Sequence, residues 1–526
     1  GAYYLTHDIS GFTVKSGVNL TLCLNGYNIT SANQGEAVIT VEPGATLTLC
    51  DCKRGGTTGY GTIGHTRPDQ YNGSGVTVEN GTFNMYGGKI ANNTVGNPDF
   101  NKSNGYGGGV LVFNKGIFNM IGGEITGNRA KYGGGVSVGL GVGINHAENK
   151  IGGTFTMSGG RIYNNAATYK AGGVYVSCGS DTIFTFSGSA QITDNYTGDL
   201  FSSSPAEGTA NNVYLDNYNS ETIKIAGELT GGDGSIGVTM FNTPKEAEPK
   251  TFATAGVTEA GEDYVLTKGD AACFSSDQGY FPYLMDDEVR MFKYEPQVHP
   301  ICGEECSHVD DEKHTEELIW IGVTELNNIT ADGNYYLIND IDTAGGKYLS
   351  VTLNVRLCLN GKTISGGDTL LNPSGGNYTL CDCKGTGTIN GSTSQYGSIQ
   401  VERGSSLDMY GGVITGNKIG VYVDNGTFNM YGGEIKGNSY TGVDGGSLYG
   451  GASGVRVDEN GTFNMSGSAK ISGNTASFTT REHSAGYYGA AGVYVNGGTF
   501  TMTGDAEVSG NTLTTDESIG ESANNY

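Results

Sequence analysis

GTFNMYGGKIANN, residues 81–93, decides the fold, because it returns with small changes seven more times. GIFNMIGGEITGN starts at Gly116, GTFTMSGGRIYNN at Gly153 and TIFTFSGSAQITDN at Thr182. A second set follows: SSLDMYGGVITGN at Ser405, GTFNMYGGEIKGN at Gly426, GTFNMSGSAKISGN at Gly461 and GTFTMTGDAEVSGN at Gly498. Within the phrase, alternation puts Phe83 and Met85 on one face and Thr82 and Asn84 on the other, the period of a half-buried strand. Met85 to Met120 spans 35 residues and Met120 to Met157 spans 37, yet Met409 to Met430 spans only 21. A fixed core with an insert of variable length is what a solenoid tolerates, since each coil touches only its neighbours. Three short strands per coil are expected: the TFNM stretch, the stretch around the Ile after Gly-Gly, and a valine run such as GGGVLV (107–112) or GGGVSV (133–138). The expected fold is all-β, a right-handed parallel β-helix.

The plan is used twice. GAYYLTHDI at Gly1 matches GNYYLINDI at Gly333, LCLNGYNI at Leu22 matches LCLNGKTI at Leu357, and TLCDCKRGG at Thr48 matches TLCDCKGTG at Thr379. Two β-helices in series are therefore expected, over 1–218 and 327–526. A β-rich end piece, 219–298, covers the last coil of the first helix, and a His/Cys linker follows at 299–326. Residue 526 falls just after the last repeat, so a truncated second helix is expected.

Three residues after each Ile or Val of the phrase stands an asparagine: Asn93, Asn128, Asn165, Asn195, Asn417, Asn438, Asn474 and Asn511. Stacked amides in a tight turn can hydrogen-bond from coil to coil, so a structural ladder is expected rather than a row of ligand contacts.

Six of the ten cysteines belong to the duplicated segments. Cys23 and Cys50 should stack in successive coils, as should Cys358 and Cys381, at about 4.8 Å. That spacing suits either a disulfide or buried free thiols. Soft metal ligands cluster once in the sequence, in HPICGEECSH from His299 to His308, with His314 beyond. Cys302 and Cys306 with two of His299, His308 and His314 would complete a closed structural zinc site, and a Cys302–Cys306 disulfide is the rival reading. No other cofactor is expected.

Glycine contributes 90 of 526 residues, about 17% against the usual 7%, which fits turns and β-structure rather than helices. The net charge of −25 opposes binding to nucleic acid. No apolar run is long enough to span a membrane as a helix. Carboxylates such as Asp194, Asp199, Asp216 and the 286–288 run are dispersed, with no constellation suited to a lyase or a glycosidase, so no enzymatic activity is expected. Tyr86, Tyr410 and Tyr431 precede Gly-Gly at one place in different coils, and turn packing explains them better than a continuous binding stripe.

At GTFNMYGGEI, ITGN and GGGV the chain resembles the adhesin-like β-helix repeats of large bacterial surface proteins. More distantly it is similar to the repeats of polymorphic outer-membrane proteins. The resemblance implies a pectin-lyase-like fold, secretion and display on the bacterial cell surface, and brings no catalytic residues. The expected role is a non-enzymatic extracellular stalk or adhesin segment whose loops bind glycans or surface proteins of host or neighbouring cells. A polysaccharide lyase or glycoside hydrolase of the same fold is the first alternative, and a self-assembling filament subunit the second. The longest side loops, 95–106, 139–151, 439–453 and 477–489, are the expected recognition elements.

Overall fold

The computed structural model describes residues 1–52, 59–67, 73–96, 105–139, 152–177, 182–198, 208–216, 222–301, 316–344, 348–443, 451–479 and 489–515. Contacts divide the chain into two units. One comprises Gly1–Lys245 with Pro249–Lys293, the other Glu246–Glu248 with Tyr294–Tyr526. Each is a parallel β-helix.

In the first unit, the TFNM strands form one wall. Thr82–Met85 pairs in parallel with Ile117–Met120, which pairs with Thr154–Met157, and that with Ile183–Gly188. The alternating pattern decides which side is core: Phe83, Phe118, Phe155 and Phe184 all point inward and are buried. Their rings stack nearly flat, with centroids 5.0, 4.8 and 5.1 Å apart from coil to coil. A second wall carries Lys89–Ala91, Glu124–Thr126 and Arg161–Tyr163. The third carries the valine runs Val110–Phe113, Val136–Val138 and Val174–Val176. Excursions leave the chain between the second and third walls and, after Val136–Val138, between the third and the first.

The parallel walls extend past residue 218. Ile223–Leu229 and Lys250–Ala255 continue the first wall, although they lack the repeat phrase. Parallel pairing needs backbone and alternation, not the phrase itself. Ile236–Met240 then pairs with the second wall at Ile192↔Ile236 and with the third at Val213↔Val238, so the corner between them straightens into one strand. The stack is closed by an antiparallel hairpin, Phe281–Met285 with Glu288–Phe292, and a one-turn helix, Lys268–Ala272. Asp286 and Asp287 form the hairpin turn with φ of +51° and +56°. Buried Asp270 serves both ends of that helix's entry, accepting from the Thr267 N–H at 2.9 Å and from the Leu229 N–H at 2.9 Å.

The second unit has the same three walls. Its first begins with Leu318–Val323 paired in parallel to Gly333–Leu337, so part of the expected linker is the opening rung. Phe428, Phe463 and Phe500 repeat the stack at 4.9 Å spacings. The duplicated LNG segments are tight turns in both units. Asn25 and Gly26 have φ of +50° and +79°, and Asn360 and Gly361 have +52° and +73°, which favours Asn-Gly at this place.

Candidate functional site

The asparagine ladder is continuous in both units. Each side-chain Nδ2 donates to the Oδ1 of the next: Asn93 to Asn128 at 2.9 Å, Asn128 to Asn165 at 3.0 Å and Asn165 to Asn195 at 2.9 Å. Asn417, Asn438, Asn474 and Asn511 repeat this at 3.0, 2.9 and 2.8 Å. The same Nδ2 also reaches a backbone carbonyl across the coil, as Asn128 does to Ile90 at 2.9 Å. With nearly all of these side chains buried and their amides committed to one another, the row offers nothing to a ligand. In the first unit the ladder runs on through Asn212 to Asp277, two members the repeat phrase does not mark. At its other end His65 Nδ1 lies 2.8 Å from Asn93 Oδ1.

The excursions after these asparagines pair with one another and build a side ledge, a fourth strand stack beyond the three expected. In the first unit Arg129–Tyr132, Ala166–Lys170 and Tyr196–Thr197 run in parallel, and Thr209–Ala210 joins in antiparallel fashion. In the second, Ser439–Val443, Thr475–Thr479 and Thr512–Thr515 do the same. Both ledges carry aromatic rings with cations over them. Tyr132 and Tyr169 meet edge to face at 5.3 Å, with Lys131 over the first ring and Lys170 over the second. Tyr440 and Phe478 lie 5.5 Å apart, with Lys418 over Tyr440. Tyr169 is 60% exposed.

Behind the first ledge, Tyr132 packs on Tyr106 and Tyr175, and Tyr175 on Tyr214. Asp216 ties this root together, accepting from the Tyr175 hydroxyl at 3.0 Å and pairing with Lys170 at 3.4 Å. Burial works against the Lys170 cation, but Tyr214 and Asp216 outweigh it and raise its pKa. Burial likewise pushes the phenols of Tyr132 and Tyr214 up. The ledge therefore presents aromatic rings with lysines over them, of which Lys170 is already paired with Asp216. Of the acids noted in the sequence, Asp216 belongs to this root and Asp286 pairs with Arg290 at 3.1 Å, while Asp199 lies outside the described residues.

Tyr410 and Tyr431 stack on each other at 4.8 Å, and Tyr86 stands exposed. Of the expected recognition loops, 95–106, 139–151 and 477–489 fall largely outside the described residues, while 439–453 contributes the ledge strand Ser439–Val443, with Tyr440, and leaves 444–450 outside them.

The cysteines correct one expectation. Cys23 and Cys50 are register neighbours, but the disulfide joins Cys23 to Cys52, leaving Cys50 free. Parallel neighbours sit about 4.8 Å apart, beyond the usual Cβ separation of a disulfide of about 3.5–4.5 Å. Cys52, past the strand end, turns back over Cys23 and donates its N–H to Cys23 Sγ at 3.2 Å. In the second unit Cys358 and Cys381 are again in register, and both are free and buried. Between the paired cysteines, Asp51 and Asp382 act as turn clamps. Asp51 accepts from the Gly26 and Gly61 N–H groups at 3.0 and 2.6 Å, and Asp382 from those of Gly361 and Gly387. Each clamp takes one donor from its own coil, Gly61 or Gly387, and one from the coil before it, Gly26 or Gly361, a pairing that spacing alone does not mark.

Of the five residues expected to hold zinc in the linker, only His299 is described; Cys302, Cys306, His308 and His314 lie outside the described residues. His299 ends the strand Gln297–His299, and its ring stacks on Trp320 at 4.7 Å. Its ring lies beside Cys358 and Cys383.

No protein-family model matches the chain, and no curated protein does. Among solved structures it is similar to one described as a TibC-catalyzed hyper-glycosylated TibA55-350 fragment. The identity is 12%, over 96% of this chain and 100% of that one, with a TM-score of 0.13. A score that low carries no argument about function. What the geometry defines is a protein with two β-helical units, each bearing a lateral aromatic ledge.

Proposed function

We propose that the chain is a non-enzymatic segment of an extracellular stalk or adhesin of a bacterial cell surface, and that its ledges bind glycans. The observation that carries this reading is the recurrence, at the same corner of both units, of aromatic rings capped by lysine. Aromatic faces stack on the apolar faces of sugar rings, and cations favour acidic ones. A stiff ladder of coils holds such faces at fixed spacing, so weak contacts repeated along the stalk add through effective concentration. The resemblance of the repeats to surface adhesins supports the surface address.

Size-exclusion chromatography with labelled plant, mucin and bacterial-wall polysaccharides tests this. Co-elution of glycans of unchanged length is expected, and the Y169A/K170A variant should weaken it about tenfold, the loss of roughly 1.4 kcal/mol. Shortened glycan would instead establish the hydrolase or lyase alternative. Absence of co-elution would refute glycan binding.

A further inference from the structure

The two copies of the CDC segment end in different chemistry. In the first, Cys23 and Cys52 are bonded. In the second, the equivalent Cys358 and Cys383 remain free thiols, although Cys383 donates its N–H to Cys358 Sγ at 3.4 Å, as Cys52 does to Cys23. Beside the second pair lies His299, whose ring nitrogen and the two sulfurs all lie within 4.8 Å of one another, while the first pair has Cys50 in the corresponding cluster.

The imidazole is held from two sides. Its Nδ1 lies 2.8 Å from the Pro300 carbonyl oxygen, which can only accept, so Nδ1 carries the proton. Nε2 is then a bare lone pair, buried without a well-formed hydrogen bond and with the Cys383 thiol beside it. An unpaired buried nitrogen of this kind is rare without a reason. Trp320 fixes the ring from behind, stacked at an interplanar angle of 15°, and its Nε1 donates to the His299 carbonyl at 2.8 Å. His299 itself is only 9% exposed and Cys358 is fully buried.

We propose that His299 Nε2, Cys358 Sγ and Cys383 Sγ bind a zinc ion. One imidazole nitrogen and two thiolates suit a tetrahedral ion of borderline softness, with a fourth position left to water. The Nδ1–H to carbonyl bond is the outer contact that fixes a metal-binding histidine's tautomer. All three ligands come from the second unit, and the ion would pin the strand Gln297–His299 to the coils that carry the cysteines. This set shares only His299 with a linker site built on Cys302 and Cys306.

The test is metal content of the full chain, purified under reducing conditions and incubated with zinc, followed by titration with cobalt(II). About one equivalent of zinc is expected here, with the strong sulfur-to-cobalt absorption of a tetrahedral thiolate site. C358S/C383S should lose both signals, while C302S/C306S keeps them. H299Q, which spares the cysteines, should weaken cobalt affinity at least tenfold. Circular dichroism checks that each variant is folded. Metal that survives C358S/C383S and vanishes in C302S/C306S overturns the proposal, as does a Cys358–Cys383 disulfide in the zinc-incubated protein.

Discussion

Asp277 takes both donors of Asn212, the backbone N–H on Oδ2 and the side-chain Nδ2 on Oδ1, each at 2.7 Å. A carboxylate that only accepts thus ends a chain of amides that each accept and donate. Thr239 adds a third donor at 2.8 Å. Burial nonetheless holds the Asp277 pKa above the ordinary carboxylate value, outweighing these hydrogen bonds.

Stability should depend on pH through this group. From the ordinary value of 3.8 up to the raised one, the folded chain keeps a proton that the unfolded chain has released. The contribution is full below that window and is lost as pH rises through it. Urea denaturation across the window should show the stability difference between the wild type and D277N falling as pH rises. Parallel curves for the two proteins would contradict the assignment.

Breaking the ladder in mid-stack should be costly. Asn165 is fully buried, accepts from the N–H and Nδ2 of Asn128, and donates to Asn195 and Ile125. N165A leaves several of these groups unpaired and should lower the stability of the first unit by about 2–4 kcal/mol, at one to three per unsatisfied group. Chemical denaturation measures it; a loss under 1 kcal/mol would mean that water replaces the amide.

The phenylalanine stack contributes by packing. Phe118 lies between Phe83 and Phe155 at 5.0 and 4.8 Å. F118A should cost about 3–5 kcal/mol, and F118L about 1, because a leucine refills most of the volume. Equal losses for the two would show that the stacking geometry, rather than the cavity, dominates.

The first-unit disulfide makes a separable prediction. Its residues are 29 apart in sequence, and closing a loop of that length is worth roughly 3–4 kcal/mol. C52S should lose that stability in non-reducing buffer and match the wild type once reductant is added. C50S should leave the cross-link intact in peptide maps, and a Cys23–Cys50 peptide would reverse the pairing.

The walls were legible because Phe83, Met85 and Ile90 repeat in a local period that the backbone converts directly into facing. Asn93 and its counterparts were legible for the same reason: one residue type at one offset. Cys52 was not, since choosing it over Cys50 depends on how the chain turns after a strand. As a strand stack the ledge was hidden, because Tyr169 and Tyr440 sit in excursions that share neither length nor sequence, although Tyr440 falls within the expected recognition loop 439–453. Members without the phrase, Asn212 and Asp277, join the ladder through space alone. His299 and Cys358 are brought together by a cap strand and two coils, and no short-range pattern records such a meeting.

The antiparallel hairpin that closes the first unit has one more consequence. A parallel stack has no intrinsic length, since every rung offers the next the same row of donors and acceptors. Here the outermost strand of the first wall, Phe281–Met285, contains Pro282, which has no N–H to offer, and is flanked by the charges of Asp286, Asp287 and Glu288. Another coil, from this chain or a second copy, meets an outermost strand that holds a proline and ends in acids. That end of the first-unit stack works as a full stop against runaway templating, written in a proline and three acids instead of in the repeats it ends.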